Sequence, residues 1–156
     1  MLRKIIELII AIAIPLLGGF LVSNFTRSAM LQFDTMSKPP LAPPSWLFPV
    51  AWTILYIFMG LGSFLMFRKN TKDSARVGGL VFYILQLIVN FSWSIVFFNM
   101  EQYLVAFLLL VLLWFLVYKM AKNYRKVSAF AFILTIPYLI WLTFAGYLNL
   151  GIALLN

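Results

Sequence analysis

The sequence contains neither cysteine nor histidine. Thiolates and imidazoles are the usual protein ligands of zinc and haem iron, and histidine is the most common general base. Their absence excludes a disulfide, a conventional zinc centre and the usual nucleophile–base pairs, so no metal site is predicted; haem ligation by Met or Tyr stays open. Charged residues are also scarce, at 10% of the chain, where soluble domains have roughly 25%.

Most of the chain consists of five long apolar runs. Each run is free of Asp, Glu, Lys and Arg and approaches or exceeds the ~20 residues that a bilayer crossing needs; the runs cover residues 8–26, 39–67, 77–100, 102–118 and 127–156. They are apolar on every side, which argues against the alternating strands of a β-barrel. The sequence therefore predicts an all-α, integral membrane bundle of five transmembrane helices in one domain, 1–156. The predicted helices cover approximately 5–26, 46–67, 77–98, 102–121 and 128–155, and a loop covers 27–45.

The positive charge is distributed unevenly between the ends of these helices. Arg27 and Lys38 alone fall on one side, and the other ten basic residues fall on the opposite side: Arg3, Lys4, Arg68, Lys69, Lys72, Arg76, Lys119, Lys122, Arg125 and Lys126. By the positive-inside rule, we expect a multi-pass protein of the cell membrane with a cytoplasmic N-terminus and an extracellular first loop and C-terminus. The net charge of +8 is then an orientation signal, and no nucleic-acid partner is expected.

The N-terminal segment has the outline of a secretory signal peptide, with Arg3 and Lys4 before an apolar stretch. The apolar stretch continues beyond the usual ~7–15 residues, and four more spans follow. We therefore expect it to be the first transmembrane helix. No carboxylate lies well inside a span, whereas proton pumps and ion-coupled carriers normally place an ionisable group there.

Polar and aromatic residues recur at helical spacing within three of the spans. Each set lies on one helix face, and the sets are Pro49, Trp52, Tyr56 and Met59; Gln86, Asn90, Trp93 and Phe97; and Pro137, Trp141, Ala145 and Asn149. An amide in hydrocarbon must find a partner or line a cavity, so we expect the amides to face the bundle interior. Interhelical hydrogen bonds and contact with a ligand both remain open for them.

Three segments resemble the TspO/MBR family, the tryptophan-rich sensory proteins related to the mitochondrial translocator protein. They are "KPPLAPPSWLFPVAWTILYIFMGLGS" (38–63), "QLIVNFSWSIVFF" (86–98) and "PYLIWLTFAGYLNLGIALLN" (137–156). The resemblance implies a five-helix bundle, often a homodimer, that binds porphyrins such as protoporphyrin IX or haem without a covalently bound cofactor. It places the ligand site on Trp52, Tyr56, Gln86, Asn90, Trp93, Phe97, Pro137, Trp141, Ala145 and Leu148.

The prolines of the first loop fit this reading. Pro39, Pro40, Pro43 and Pro44 fix φ and favour a stiff, extended strap, and the resemblance implies that this strap is a lid over the pocket. A PxxP ligand for an SH3-like domain is the rival interpretation, which a segment tied to the membrane surface disfavours. Sterol binding is not favoured either, because no Lys or Arg follows Lys126 to complete the animal sterol motif.

The function that follows from the resemblance is a tetrapyrrole-binding sensory or regulatory membrane protein. A small porphyrin permease is the alternative, although no internal repeat supports it. We do not expect an enzyme with acid–base machinery. Any activity would be light-dependent oxidation of bound porphyrin, with Trp52 and Trp141 as the oxidisable side chains.

Overall fold

The computed structural model describes residues 2–69 and 74–156. These residues form five long helices and no strand, which confirms the predicted all-α membrane bundle. Lys72, one of the charges used to predict orientation, lies outside the described residues. The helices are α1 (Leu2–Gln32), α2 (Leu47–Arg68), α3 (Ser74–Ser94), α4 (Tyr103–Val127) and α5 (Ala129–Leu155), with a 3-10 turn at Phe33–Thr35 and a π turn at Ile95–Asn99 after α3.

Two helices are longer than the charge pattern indicated. α1 continues to Gln32 and the 3-10 turn follows directly, so the loop shortens from the predicted 27–45 to 36–46. No proline or glycine lies between Thr26 and Gln32 to stop the helix. α4 continues to Val127 instead of 121, because Lys and Arg are good helix formers and do not end a helix.

Side chains define the two sharp connections on the basic side of the bundle. Ser128 has φ −150° and its side chain accepts a hydrogen bond from the Ala131 amide, 3.3 Å away, so that it caps α5. Arg76 of α3 donates to the carbonyl oxygens of Met66 and Phe67, at 3.2 and 2.9 Å. These bonds satisfy carbonyl groups that the end of α2 leaves open.

The five helices are packed to very different degrees. α4 buries eight residues, among them Leu113, Val117 and Tyr124, whereas the longer α1 buries only Ala11 and Pro15 in its first half and Thr26 near its end. The core therefore lies mainly among α2, α3, α4 and α5, and α1 rests on its outside.

The proline-rich strap, residues 36–46, is fastened to the end of α5. Pro39 is buried against Gly151, where an added Cβ would lie 2.5 Å from the Pro39 Cγ. The Tyr147 hydroxyl donates to the Pro40 carbonyl at 2.7 Å, and the Asn156 side chain pairs with both backbone groups of Ser37, at 3.2 and 2.9 Å. Pro39, Pro40 and Ser37 thus have fixed positions over the α5 end.

Candidate functional site

Trp52 of α2 lies at the centre of a cluster of aromatic rings. Its ring stacks on Tyr56 at 5.6 Å between centroids, and it meets Trp93, Tyr138 and Trp141 at 5.9, 6.0 and 6.4 Å. Offset and edge-to-face arrangements at these distances are favourable. The sequence-predicted tryptophans of α2, α3 and α5 are therefore brought together around one residue.

A chain of buried hydrogen bonds lies beneath this cluster. The Tyr56 hydroxyl donates to Asn90 Oδ1, Asn90 Nδ2 donates to the Tyr138 hydroxyl, and that hydroxyl donates to Gln86 Oε1, each at 2.8 Å. Gln86 Nε2 also lies 3.6 Å from Met59 Sδ. Of the two roles left open by the sequence, these bonds assign Asn90 and Gln86 to interhelical hydrogen bonding.

A second buried connection joins α3, α4 and α5. The Trp93 indole Nε1 donates to Asn149 Oδ1 at 3.0 Å, and Asn149 Nδ2 donates to the Tyr103 carbonyl at 2.7 Å. Trp93 and Asn149 are both almost fully buried. Because the position of Trp93 is fixed by this bond, one neighbour of Trp52 is rigid.

A cavity borders Trp52 and Tyr56 between α1 and α2, beside the end of α3. Its volume is about 420 Å³. Leu17 and Phe20 line it and are also 61% and 63% exposed, so the cavity reaches the outer, lipid-facing surface of the bundle. Its walls are Leu16, Leu17, Gly19, Phe20, Val22, Ser23, Thr26, Met30, Phe48, Pro49, Trp52, Thr53, Tyr56, Ser94 and Phe98.

Only Trp52 and Tyr56 of the ten predicted ligand residues line this cavity. Four others, Trp93, Phe97, Ala145 and Leu148, surround a separate void of about 10 Å³, too small for any ligand. None of the four strap prolines lines either space.

The two remaining α5 residues of the prediction lie apart from both spaces. Trp141 packs against Phe48 and Phe144, and its buried indole Nε1 has no hydrogen-bond partner. Pro137 is exposed on the outside of α5. It lies one position away from Tyr138, which points inward.

Several site residues were missed from the sequence. Tyr138 precedes Trp141 by three positions and Phe48 precedes Trp52 by four, so the helical spacing that selected the tryptophans could have found both. The α1 side of the cavity carries a weaker signal of the same kind, because Gly19, Ser23, Thr26 and Met30 recur at helical spacing and all four line the cavity. Gly19 belongs to that wall, and an added Cβ there would lie 2.2 Å from the Tyr56 ring.

Two of the hydroxyl groups in the cavity wall are engaged by their own helices. Thr26 Oγ1 donates to the Val22 carbonyl at 3.0 Å, and Thr53 Oγ1 donates to the Pro49 carbonyl at 2.7 Å. As acceptors they remain open toward the cavity. The space is thus apolar and aromatic with a few weak polar positions, which is typical of small-molecule sites.

Comparison with known proteins agrees with this architecture. The TspO/MBR family profile matches residues 11–155, nearly the whole chain. The chain belongs to the TspO/MBR family. Among TspO/MBR relatives, it is 38% identical to the tryptophan-rich protein TspO of Chlorobaculum tepidum, over 99% of this chain and 98% of the relative.

Other TspO/MBR relatives come from distant organisms. The tryptophan-rich sensory protein of Cereibacter sphaeroides is 35% identical over 84% of this chain and 83% of its own. The translocator protein of Bos taurus is 36% identical over 87% of this chain and 82% of its own. Membership in the TspO/MBR family supports a sensory or regulatory role in a membrane.

Proposed function

We propose that this protein is a tetrapyrrole-binding sensory or regulatory membrane protein and that the porphyrin occupies the cavity between α1 and α2. The observation that carries the proposal is the position of Trp52, which lines the cavity and is also the centre of the aromatic cluster. A volume of about 420 Å³ falls within the ~300–1,000 Å³ of ordinary ligand pockets. A flat, apolar macrocycle matches walls of this composition.

The neighbours of Trp52 support a preorganised site. Trp93 is hydrogen-bonded to Asn149, and Tyr56 is hydrogen-bonded to Asn90, so two of the rings that contact Trp52 are held in place. A ligand that stacks on an already fixed ring loses less conformational entropy on binding. In this proposal Asn90 and Gln86 act through Tyr56 and Tyr138, and they do not contact the porphyrin.

Light would be the only energy source for chemistry at this site. Light-dependent oxidation of the bound porphyrin would use dioxygen as the oxidant, and Trp52, whose indole lines the cavity, can donate one electron to the excited porphyrin. Trp93 and Trp141 follow at 5.9 and 6.4 Å from the Trp52 ring. Such photochemistry belongs to the ligand and needs no general acid or base.

The decisive experiment is a protoporphyrin IX titration followed by the Soret absorbance of the porphyrin. Absorbance is preferable to tryptophan emission because the variants remove emitters. Trp52→Ala should weaken binding by about 1–3 kcal/mol, the range for truncating a well-packed aromatic contact. Trp114→Ala is the matched control, since Trp114 stacks on Tyr118 on the outside of α4 and lies away from the cavity.

Equal porphyrin affinities for the Trp52 and Trp114 variants would show that the porphyrin does not bind in this cavity. A liposome flux assay on the parent protein addresses the permease alternative. Saturable porphyrin uptake would favour a permease, and binding without uptake would favour the sensory role.

We also propose that the strap faces the outside of the cell and that the basic helix ends face the cytoplasm. Native cysteine is absent, so single reporters have no background. In intact cells a membrane-impermeant thiol reagent should label Thr35→Cys, near the strap, and should not label Lys126→Cys, at the end of α4. The reverse pattern would invert the topology.

A further inference from the structure

Two adjoining recesses lie at the other end of the α1–α2 pair, far along both helices from the aromatic cluster. They have volumes of about 810 and 530 Å³. Lys4, Phe64 and Arg68 line both of them. The seam between the start of α1 and the end of α2 is therefore open at the surface, and the recesses meet at two cations.

The mouth of this pair of recesses is strongly basic. Its charged wall residues are four cations, Arg3, Lys4, Arg68 and Lys69, against the single carboxylate of Glu7. Glu7 reaches two of the cations, Arg3 Nε at 2.9 Å and Arg68 Nη1 at 4.0 Å. Even with Glu7 fully paired, the wall keeps an excess of positive charge.

The position of Arg68 is not explained by the needs of its own helix. The carbonyl groups of Met66 and Phe67 near the end of α2 already accept from Arg76 of α3. The Arg68 guanidinium instead lies over the Phe64 ring, 5.5 Å from its centroid. It is thus held at the mouth of the recesses, and within residues 2–69 and 74–156 its ionic partner is one distant carboxylate oxygen, that of Glu7.

Below the charged mouth, the larger recess is apolar. Its wall continues along α1 through Ile10, Ala11 and Ile14, with Phe67 on the α2 side. From Arg3 to Ile14 a helix rises about 16 Å at ~1.5 Å per residue. That length matches one leaflet, since the hydrocarbon core of a bilayer is about 30 Å thick.

We propose that this seam binds an anionic phospholipid. The headgroup phosphate lies between Lys4 and Arg68, and an acyl chain runs along Ile10 and Ile14. Guanidinium and ammonium groups at the membrane surface are the chemistry that selects phosphodiester headgroups. An apolar floor one leaflet deep distinguishes a lipid from a soluble phosphate. Glu7 competes with the phosphate for Arg3 and Arg68, so it sets how tightly the lipid is held.

The test is native mass spectrometry of the purified protein in micelles that contain equimolar dioleoylphosphatidylglycerol and dioleoylphosphatidylcholine. The parent protein should retain more dioleoylphosphatidylglycerol than dioleoylphosphatidylcholine. Lys4→Gln/Arg68→Gln should lower the ratio of retained anionic to zwitterionic lipid by at least about fivefold, the factor expected for loss of one interfacial cation. Lys122→Gln/Lys126→Gln removes two charges from the end of α4 and should leave the ratio unchanged.

An equal fall in both double variants would mean that net charge attracts the lipid and would overturn the site. An unchanged lipid ratio in the Lys4→Gln/Arg68→Gln variant would overturn the proposed site as well. If that variant does not fold, Arg3→Gln/Lys69→Gln tests the same mouth.

Two further experiments test where the headgroup binds and whether the acyl chains contribute to binding. Glu7→Gln removes the competing carboxylate and should raise the ratio, whereas an unchanged or lower ratio would contradict a headgroup that shares Arg68 with Glu7. Millimolar glycerophosphoglycerol, which is the phosphodiester headgroup of phosphatidylglycerol without its chains, should not displace the bound lipid. Displacement would identify a soluble-phosphate site and overturn the lipid assignment.

Discussion

α1 and α4 are similar in apolar character, yet the longer α1 is packed far less than α4. α4 buries eight residues in the core, and α1 buries three. The cavity beside Trp52 and the basic recesses both lie along α1. A further space of about 420 Å³ lies between α4 and α5, with Trp114, Thr143 and Tyr147 in its wall. The three spaces along α1 border an incompletely packed helix, while the predicted pocket residues between α3 and α5 are nearly closed on one another.

The largest expected effect comes from the contact that holds α1 in place. A Cβ added at Gly60 would lie 2.5 Å from the Ile12 Cα and 2.8 Å from the Ala11 carbonyl oxygen. These are backbone atoms, so they cannot turn aside. Gly60→Ala should therefore lower the stability of the detergent-solubilised protein by about 1–3 kcal/mol, the range for overpacking, as measured by denaturant unfolding followed by near-UV circular dichroism.

Gly146→Ala is the matched control for this change. A Cβ at Gly146 would meet only Leu110 Cδ2, at 3.6 Å, an ordinary van der Waals contact. Its unfolding curve should overlay that of the parent protein. If both alanine variants unfold alike, the close approach of α1 to α2 does not determine where α1 lies.

A smaller loss of stability is expected from breaking the buried hydrogen bonds that join Tyr56, Asn90, Tyr138 and Gln86. Asn90→Leu deletes the acceptor of the Tyr56 hydroxyl and one of the two partners of the Tyr138 hydroxyl, which keeps its bond to Gln86 Oε1. Buried hydroxyls without partners cost about 1–3 kcal/mol in water-soluble proteins, and membrane bundles average nearer ~0.6 kcal/mol per bond. We expect a loss of about 1–2 kcal/mol by the same unfolding assay, together with weaker porphyrin binding because Tyr56 loses its anchor.

Thr143→Ala removes a hydrogen bond at the outside of the bundle, from Trp114 Nε1 at 3.0 Å. It should change neither stability nor porphyrin affinity measurably. An Asn90→Leu protein that binds porphyrin as the parent does would show that Tyr56 needs no support from α3.

The sequence predicted the tight region better than the loose one. Trp52, Asn90 and Trp93 were selected by helical spacing, and they do meet in the interior because polar and aromatic side chains mark one face of a helix in hydrocarbon. The prediction could not tell a filled interface from a cavity. Ala145 and Leu148 share a face with Trp141 or lie close to it, yet they border a void of about 10 Å³.

The α1 wall was not predicted, although Gly19, Ser23 and Thr26 mark it at helical spacing. The signal is weak, because a Ser or Thr hydroxyl that bonds to its own helix, as that of Thr26 does, also suits contact with lipid. The length of α1 was also missed. Arg27 was taken to mark the end of the span, but a helix can continue beyond the hydrocarbon region as long as no residue breaks it, and the strap became shorter as a result.

The smallest expected effect concerns the strap. The Tyr147 hydroxyl donates to the Pro40 carbonyl at 2.7 Å, and an exposed bond of this kind contributes about 0.5–1.5 kcal/mol. If loosening the strap governed ligand release, Tyr147→Phe would raise the porphyrin off-rate by about two- to tenfold. No strap residue lines the α1–α2 cavity, so we expect stopped-flow dissociation to be unchanged, as in the control Tyr118→Phe on the outside of α4. A faster off-rate confined to Tyr147→Phe would contradict release between α1 and α2 and would restore the strap as the lid predicted from its prolines.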